Sequence, residues 1–333
     1  MVTEFSSSAG SDTAPRRSRV SSLLRYTVVL ALIAVFVFLS VQAPGFLTPS
    51  NLLNIVVNNF ALLALVSLGM TLVVSTGGID LSVGTSIDIG SLVFVSLISS
   101  HHQLLVALLG GVSGALAVGV FNAFLVAALG ITPFLATLGT LFIGESVQQL
   151  ATNGGQPIYL ITGTFPAGFT FIGRGDLIGI PFPIYIVAVS IVGFFLLAHH
   201  TQFGRQVVAL GARAGVAWYS GVRIRRISAL VYILSAIICG VAGIILSSTV
   251  KAYVPLSGNA YLLDAIGATF IGTTLNPLSR PSVAGTALGV LLLSIVTNGL
   301  LLIGWNFYWQ QVARGILIFA VLAVSFRGRP VHA

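Results

Sequence analysis

The sequence predicts an all-α integral membrane protein with about ten transmembrane helices, two of them short or broken, and with both termini in the cytoplasm. Three observations carry that expectation. Of 333 residues, 56% are hydrophobic and only 7% are charged, with a mean hydropathy of +1.05. A soluble domain carries about a quarter charged residues, because its folded surface has to be solvated. The apolar runs are long and continuous rather than alternating at period two, which selects helices over a barrel. The arginines, finally, divide unequally between alternate loops.

Residues 1–22 are serine-rich and polar, with Arg16, Arg17 and Arg19, and read as a disordered cytoplasmic tail ahead of a membrane domain over 23–327. The first span, 23–42, is too long for a signal-peptide core and lacks a small-residue cleavage site, so it is expected to be retained. Further spans are expected at about 52–75, 86–100, 104–129, 133–151, 183–200, 228–248, 261–276, 283–303 and 308–326, with a short tail at 328–333. The third and eighth are short for a hydrocarbon core about 30 Å thick. Each adjoins a glycine-rich polar stretch, 76–84 and 272–280, so both read as broken or partly re-entrant helices.

An inside N-terminus and ten spans put Arg16, Arg17, Arg19, Arg25, the five arginines of 201–227, Arg280, Arg327 and Arg329 on the cytoplasmic side. Arg174 and Lys251 alone fall outside, and Arg314 lies within the last span. An odd count would scatter these charges over both faces. The net charge of +8 forms no aromatic-interleaved patch, which argues against nucleic acid as a partner. The single cysteine, Cys239, lies in an apolar run and cannot form an internal disulfide.

Four carboxylates fall in or beside the spans: Asp80, Asp88, Glu145 and Asp264. A buried ionised group is costly in lipid, so each is a functional candidate. Asp80 sits in Thr76-Gly77-Gly78-Ile79-Asp80-Leu81-Ser82-Val83-Gly84 and is expected to order that loop, capping the next helix through the amide of Ser82 or Val83. Asp264 opens the eighth span and reads as a first-turn carboxylate facing the helix dipole. Glu145 shares a helix face with Thr137, Leu141, Gln148 and Thr152.

Asn54 and Asn58, then Asn122, then Ser294 with Asn298 make similar inward polar rows, with Phe60, Phe121 and Phe134 beside them. Neutral amides, hydroxyls and aromatic faces suit an uncharged polyhydroxylated solute. For any one of these residues the competing reading is an interhelical hydrogen bond, worth about 0.6 kcal/mol on average. Arg314 is expected to pair with an intramembrane carboxylate or to snorkel.

The lone lysine, Lys251, follows Val250, so the chain has no G-x-x-x-x-G-K-[ST] loop and is not expected to hydrolyse ATP. It has neither H-E-x-x-H nor C-x-x-C, and no metal or cofactor is expected on it.

The run from Gly69 through Thr76-Gly77-Gly78-Ile79-Asp80-Leu81-Ser82 to Gly84 resembles the signature of the ribose-type permease family of bacterial ABC importers. So do Pro133-Phe134-Leu135-Ala136-Thr137-Leu138-Gly139-Thr140 and Leu263-Asp264-Ala265-Ile266, and the likeness extends from about Asn51 to Phe326. The resemblance implies a ten-span permease of the bacterial inner membrane, paired with a second permease chain that is identical or related. It implies cytoplasmic ATPase subunits that use the ATP, and an extracytoplasmic solute-binding protein that delivers the sugar. Residues 209–222 are similar to the family's ATPase-coupling helix, with Gly211, Arg213, Ala217, Ser220 and Gly221 in the corresponding places. The chain departs from the usual pattern at Arg213, where relatives often have asparagine, at Gly215-Val216, where they have an alanine pair, and at Gly272-Thr273-Thr274 … Ser279-Arg280, where glycine pairs are usual.

The leading expectation is therefore a permease subunit of an ATP-driven importer for a sugar or sugar-like polyol, working by alternating access. Its rivals are a self-sufficient proton-coupled transporter using Glu145 or Asp80, and an intramembrane hydrolase built on Asp80.

Overall fold

Apolar segments that cannot leave backbone groups unpaired in lipid become helices, and helices dominate the computed structural model, which describes residues 26–160, 165–276 and 280–327, the side chains of 167 and 324–327 excepted. In chain order they are α1 (Thr27–Gln42), α2 (Pro49–Ser75), α3 (Val83–Ser99), α4 (Leu104–Ala128), α5 (Pro133–Ala151), α6 (Ala167–Arg174) and α7 (Phe182–His200). There follow α8 (Gln202–Ala212), α9 (Ala214–Tyr219), α10 (Ile224–Val250), α11 (Asn259–Thr273), α12 (Val283–Leu302) and α13 (Phe307–Arg327). The tails expected at 1–22 and 328–333, the start of the first span and Ser279 lie outside the described residues.

Among the described residues, five helices are long and apolar enough to cross a membrane: α2, α4, α7, α10 and α12, with mean hydropathies of 1.9 to 2.6. Helices α1 and α3 and the 307–323 part of α13 are apolar but shorter. The chain is an all-α membrane protein. Two-residue strands occur in the connections: β1 (Ile158–Tyr159) pairs antiparallel with β4 (Ala252–Tyr253), and β2 (Asp176–Leu177) with β3 (Ile180–Pro181).

Two helices contain a π-turn, Ile55–Phe60 in α2 and Phe124–Ala128 in α4. Neither was visible as a pattern, because a π-turn inserts one residue without changing which residue types are apolar.

The largest core gathers Leu65, Met70, Ile87, Ala242, Ile271 and Leu293 between α2, α3, α10, α11 and α12. Around it the chain's two ends of the bundle are distinct. Ser75 at the end of α2, Gly211 in α8 and Arg280 ahead of α12 line one shared cavity of about 350 Å³. Thr48 ahead of α2, Pro181 ahead of α7 and Leu302 at the end of α12 line another of about 660 Å³ at the opposite end. Arg174 lies away from the first end, donating from Nε to the Thr249 carbonyl (2.7 Å) near the end of α10.

Helix α3 is 17 residues and α11 is 15. Both are short because they start inside the bundle. Between α2 and α3 the chain runs without regular structure over 76–82, and Asp80 in that stretch reaches Ser235, near the middle of α10. Helix α11 follows β4 after the irregular residues 254–258. The N-terminal ends of the two helices then meet backbone to backbone: a Cβ on Gly84 would lie 3.0 Å from the Gly258 carbonyl carbon and 2.8 Å from Asn259 Oδ1. The irregular stretch that partners 76–84 therefore precedes α11, rather than following it at 272–280 as the sequence reading expected. In 272–280, the described part closes against α12, where a Cβ on Gly272 would strike the Gly285 carbonyl carbon.

Candidate functional site

The 76–82 crossing is held by a buried polar latch. Asp80 Oδ1 accepts from the Ser82 backbone N–H (2.8 Å) and from the Ser82 hydroxyl (2.6 Å). The Ser235 hydroxyl donates to Oδ2 at 3.5 Å. Asn122 on α4 donates to Ser82 Oγ and accepts from Thr140 on α5, both at 2.6 Å. The Leu81 N–H donates to Thr137 Oγ1 at 3.0 Å. Together these bonds tie an irregular stretch of backbone to three helices, which is what such backbone at membrane depth needs.

A second latch sits where α3 and α11 meet. Asp88 Oδ1 accepts from the Gly258 N–H (2.8 Å) and the Ser257 hydroxyl (3.0 Å), while its Oδ2 is buried without a partner among the described residues. Glu145 Oε1 accepts from Asn259 Nδ2 at 2.8 Å. Gln148 Oε1 accepts from the Tyr253 hydroxyl (3.0 Å) and the Leu256 N–H (2.9 Å). Burial first, and the Asp88 carboxylate second, push the Tyr253 phenol above its ordinary range, so it stays a neutral donor to Gln148. Both carboxylates thus sit at the positive end of α11, where the helix dipole favours them.

Several residues expected along a solute path are accounted for differently. Asn122, Thr137 and Gln148 are buried and satisfied within the two latches. Asn298 is buried in a reciprocal amide pair with Asn51, each donating to the other at 3.0 Å. Phe60 packs against the main core, and Phe134 is exposed on the outside of α5. Asn122, Thr137, Gln148 and Asn298 do face inward and Phe134 does not, and sequence does not separate a residue facing a cavity from one facing a partner helix.

Asn54 and Asn58 do face open space. They hydrogen-bond to each other and line the 660 Å³ vestibule together with Asn51, Thr48 and Ser50. Asn58 also lines a smaller chamber of about 210 Å³ between α2, α11, α12 and α13. The chamber's wall includes Asn59, Tyr261, Asp264, Ser294, Thr297 and Arg314.

Asp264 is the clearest correction to the sequence reading. Helix α11 starts at Asn259, so Asp264 lies beyond its first turn and caps nothing. It forms an ion pair with Arg314 Nη1, both side chains largely buried. Arg314 Nε and the Ser294 hydroxyl are buried without partners among the described residues. Further along the same helices, the Thr71 and Thr286 hydroxyls bond at 2.8 Å, and those of Ser67 and Thr269 are buried without partners among the described residues.

At the arginine-rich end, 201–227 forms two helices. Thr201 caps α8 by accepting from the Gly204 N–H at 3.2 Å, and Val207 and Leu210 anchor it to Leu72 and Val231. Gly211 lies so close to α2 that a Cβ there would strike the Ser75 carbonyl oxygen. Arg213 is exposed and extended (φ −158°), which separates α8 from α9. Ala217 is the buried foot of α9, and the Ser220 hydroxyl donates to the Val216 carbonyl at 3.0 Å. Gly221, at φ +79°, ends the helix in the left-handed region, with the Val222 N–H bonding back to the Ala217 carbonyl at 3.0 Å. This arrangement leaves Trp218 (63% exposed) and Tyr219 (85% exposed) projecting from the end of the bundle.

Residues 51–322 match a family described as the permease component of a branched-chain amino acid transport system. The ribose import permease protein of Bacillus subtilis (strain 168) is 35% identical over 296 residues, covering 89% of this chain and 91% of its own length. That of Escherichia coli (strain K12) is 30% identical over 91% of this chain and 94% of its own length. The galactofuranose transporter permease protein of the same strain is 32% identical over 81% and 78% respectively. No solved structure matches the chain. A vestibule bordered by asparagines at one end, an anchored helical platform at the other and near-full-length similarity to import permeases lead to one assignment: the chain belongs to the transport-permease family that includes the ribose import permeases.

Proposed function

We propose that this chain is the membrane-spanning subunit of an ATP-driven importer of a sugar or sugar-like polyol, crossing a bacterial inner membrane ten times with both termini cytoplasmic. The observation that carries the reading is similarity along nearly the whole chain to permeases named for ribose, galactofuranose and L-arabinose. The family description names branched-chain amino acids, but the amides and hydroxyls of the vestibule match an uncharged polyhydroxylated solute better than an apolar side chain. The short crossings are completed by the irregular stretches 76–82 and 254–258, which supports counting α3 and α11 as spans.

Arg205 of α8, Arg213, the three arginines at the start of α10 and Arg280 lie toward the end carrying Trp218 and Tyr219, which supports that end as cytoplasmic. In this reading α9, with Gly211, Arg213, Ala217, Ser220 and Gly221, engages a separate ATPase subunit that binds and hydrolyses the ATP. The vestibule lined by Asn54 and Asn58 faces an extracytoplasmic solute-binding protein, and a second permease chain completes the channel.

The test is reconstitution. Proteoliposomes holding the permease with its ATPase and binding protein should accumulate labelled sugar only when all three and ATP are present. Accumulation by the permease alone, collapsing with an uncoupler at constant ATP, would establish proton-coupled transport instead.

A further inference from the structure

Asn58 lines both cavities, so the vestibule and the chamber lie on either side of one residue. The π-turn Ile55–Phe60 makes that junction. Consecutive residues of a regular helix diverge by about 100°, yet Asn58 and Asn59 both line the chamber. Turns of this kind recur at functional sites because they re-aim side chains at little cost to the helix.

The chamber's chemistry points to a class of ligand. Its volume of about 210 Å³ is several times the roughly 30 Å³ share of one water, enough for one small ring. Asp264 and Arg314 neutralise each other, so the wall has no net charge to attract an anion or a cation. It keeps donors and acceptors, however. Among the described residues, Arg314 Nε and Ser294 Oγ are buried without partners, a condition that is rare and calls for a ligand or water. Arg314 is 8% exposed and Ser294 2%. Hydroxyls of a sugar both donate and accept, so one ring can serve a guanidinium, a carboxylate and a serine together. Tyr261 and Phe307 supply apolar faces on the same wall.

From these features we infer that the chamber between α2, α11, α12 and α13 is a binding site for a single monosaccharide in transit, with the Asp264–Arg314 pair, Ser294 and Thr297 as its selecting groups. The inference rests on the sugar-import reading.

The test uses the full importer in proteoliposomes, with labelled D-ribose, L-arabinose and D-galactose. Thr297→Trp fills the chamber, and since a packed interior cannot hold both the indole and a sugar, uptake should fall about tenfold or more while ATP hydrolysis continues. Leu301→Trp, on the 62% exposed face of the same helix, should keep uptake within about twofold. A second variant, Thr297→Cys, guards against misfolding. Its thiol should react with a methanethiosulfonate reagent, and D-ribose or another transported sugar should slow that reaction several-fold. The native Cys239 is fully buried and adds no background.

Wild-type uptake in an assembled Thr297→Trp importer, or thiol labelling that no transported sugar slows, would overturn the site. Absence of uptake of any sugar by the wild-type importer would overturn the sugar reading itself, and this site with it.

Discussion

Replacing Asp80 separates a structural carboxylate from a proton carrier. In the structure Oδ1 accepts two bonds from Ser82, at 2.8 Å and 2.6 Å, and Oδ2 is only 3.5 Å from the Ser235 hydroxyl. Asp80→Ala removes both short bonds and strands the buried Ser82 N–H. A bond to a charged acceptor is worth about 1.5–3 kcal/mol, and an unsatisfied buried donor costs about 1–3 kcal/mol. These overlap, so the expected loss is about 3–4 kcal/mol. Asp80→Asn keeps an oxygen at Oδ1 and both bonds, weakened from charge-assisted to neutral, roughly a halving. Its expected loss is about 1–1.5 kcal/mol.

Equilibrium unfolding in detergent should order the proteins wild type, Asp80→Asn, Asp80→Ala, and sugar uptake at saturation should follow the same order, with the asparagine variant retaining most activity. A proton carrier behaves oppositely: asparagine cannot titrate, so uptake would vanish with stability intact. That result would refute the latch argument and revive the secondary-transporter reading.

The reciprocal Asn51–Asn298 amide pair should give a double-mutant coupling of about 1–1.7 kcal/mol, near the top of the range for membrane proteins, measured with alanine at each position; a coupling near zero would mean the pair is not formed. Gly211→Val should push α8 off the Ser75 carbonyl, cutting uptake about 10- to 100-fold, as displaced machinery does, while ATP hydrolysis by the assembled importer persists; normal uptake would remove α8 from the coupling path. Arg314→Ala leaves Asp264 buried without its cation and should cost about 3–5 kcal/mol, whereas Asp264→Asn with Arg314→Gln should recover most of it; equal losses in the single and double variants would show the pair to be unimportant.

Much of the membrane architecture was legible because lipid imposes a simple rule on composition: spans must be apolar and helical. The long helices α4, α7, α10 and α12 fall within a few residues of their expected places. The polar residues were harder. Asn54 and Asn298 have the same residue type and the same apolar setting, yet one borders a vestibule and the other is locked to Asn51. That difference depends on helix rotation and depth, which no local spacing encodes.

Asp264 illustrates how a small boundary error changes a role. Starting α11 at Asn259 instead of at the carboxylate turns a capping group into a mid-helix charge, and a mid-helix charge in lipid needs a counter-ion. Arg314, the lone arginine well inside an expected span rather than at its edge, was the available signal. Four carboxylates competed for it, however, and three of them are held by neutral donors at one oxygen instead: Asp80 by Ser82, Asp88 by Gly258, Glu145 by Asn259.

The meeting of α3 and α11 was less accessible still. Its two surfaces are Gly84 and Gly258, far apart in the chain and chosen for what they lack, since a Cβ on either would strike the other's backbone. Glycine is frequent throughout this sequence, 37 of 333 residues, so an absence of side chain at two particular positions leaves no mark against that background. The carboxylates beside it leave one. Asp88 and Glu145 are affordable in lipid only where N–H donors and a helix start are waiting for them, so their presence in otherwise apolar runs already implied an interrupted backbone nearby. Reading intramembrane carboxylates as pointers to broken helices, before reading them as catalytic or proton-carrying groups, locates this junction from sequence.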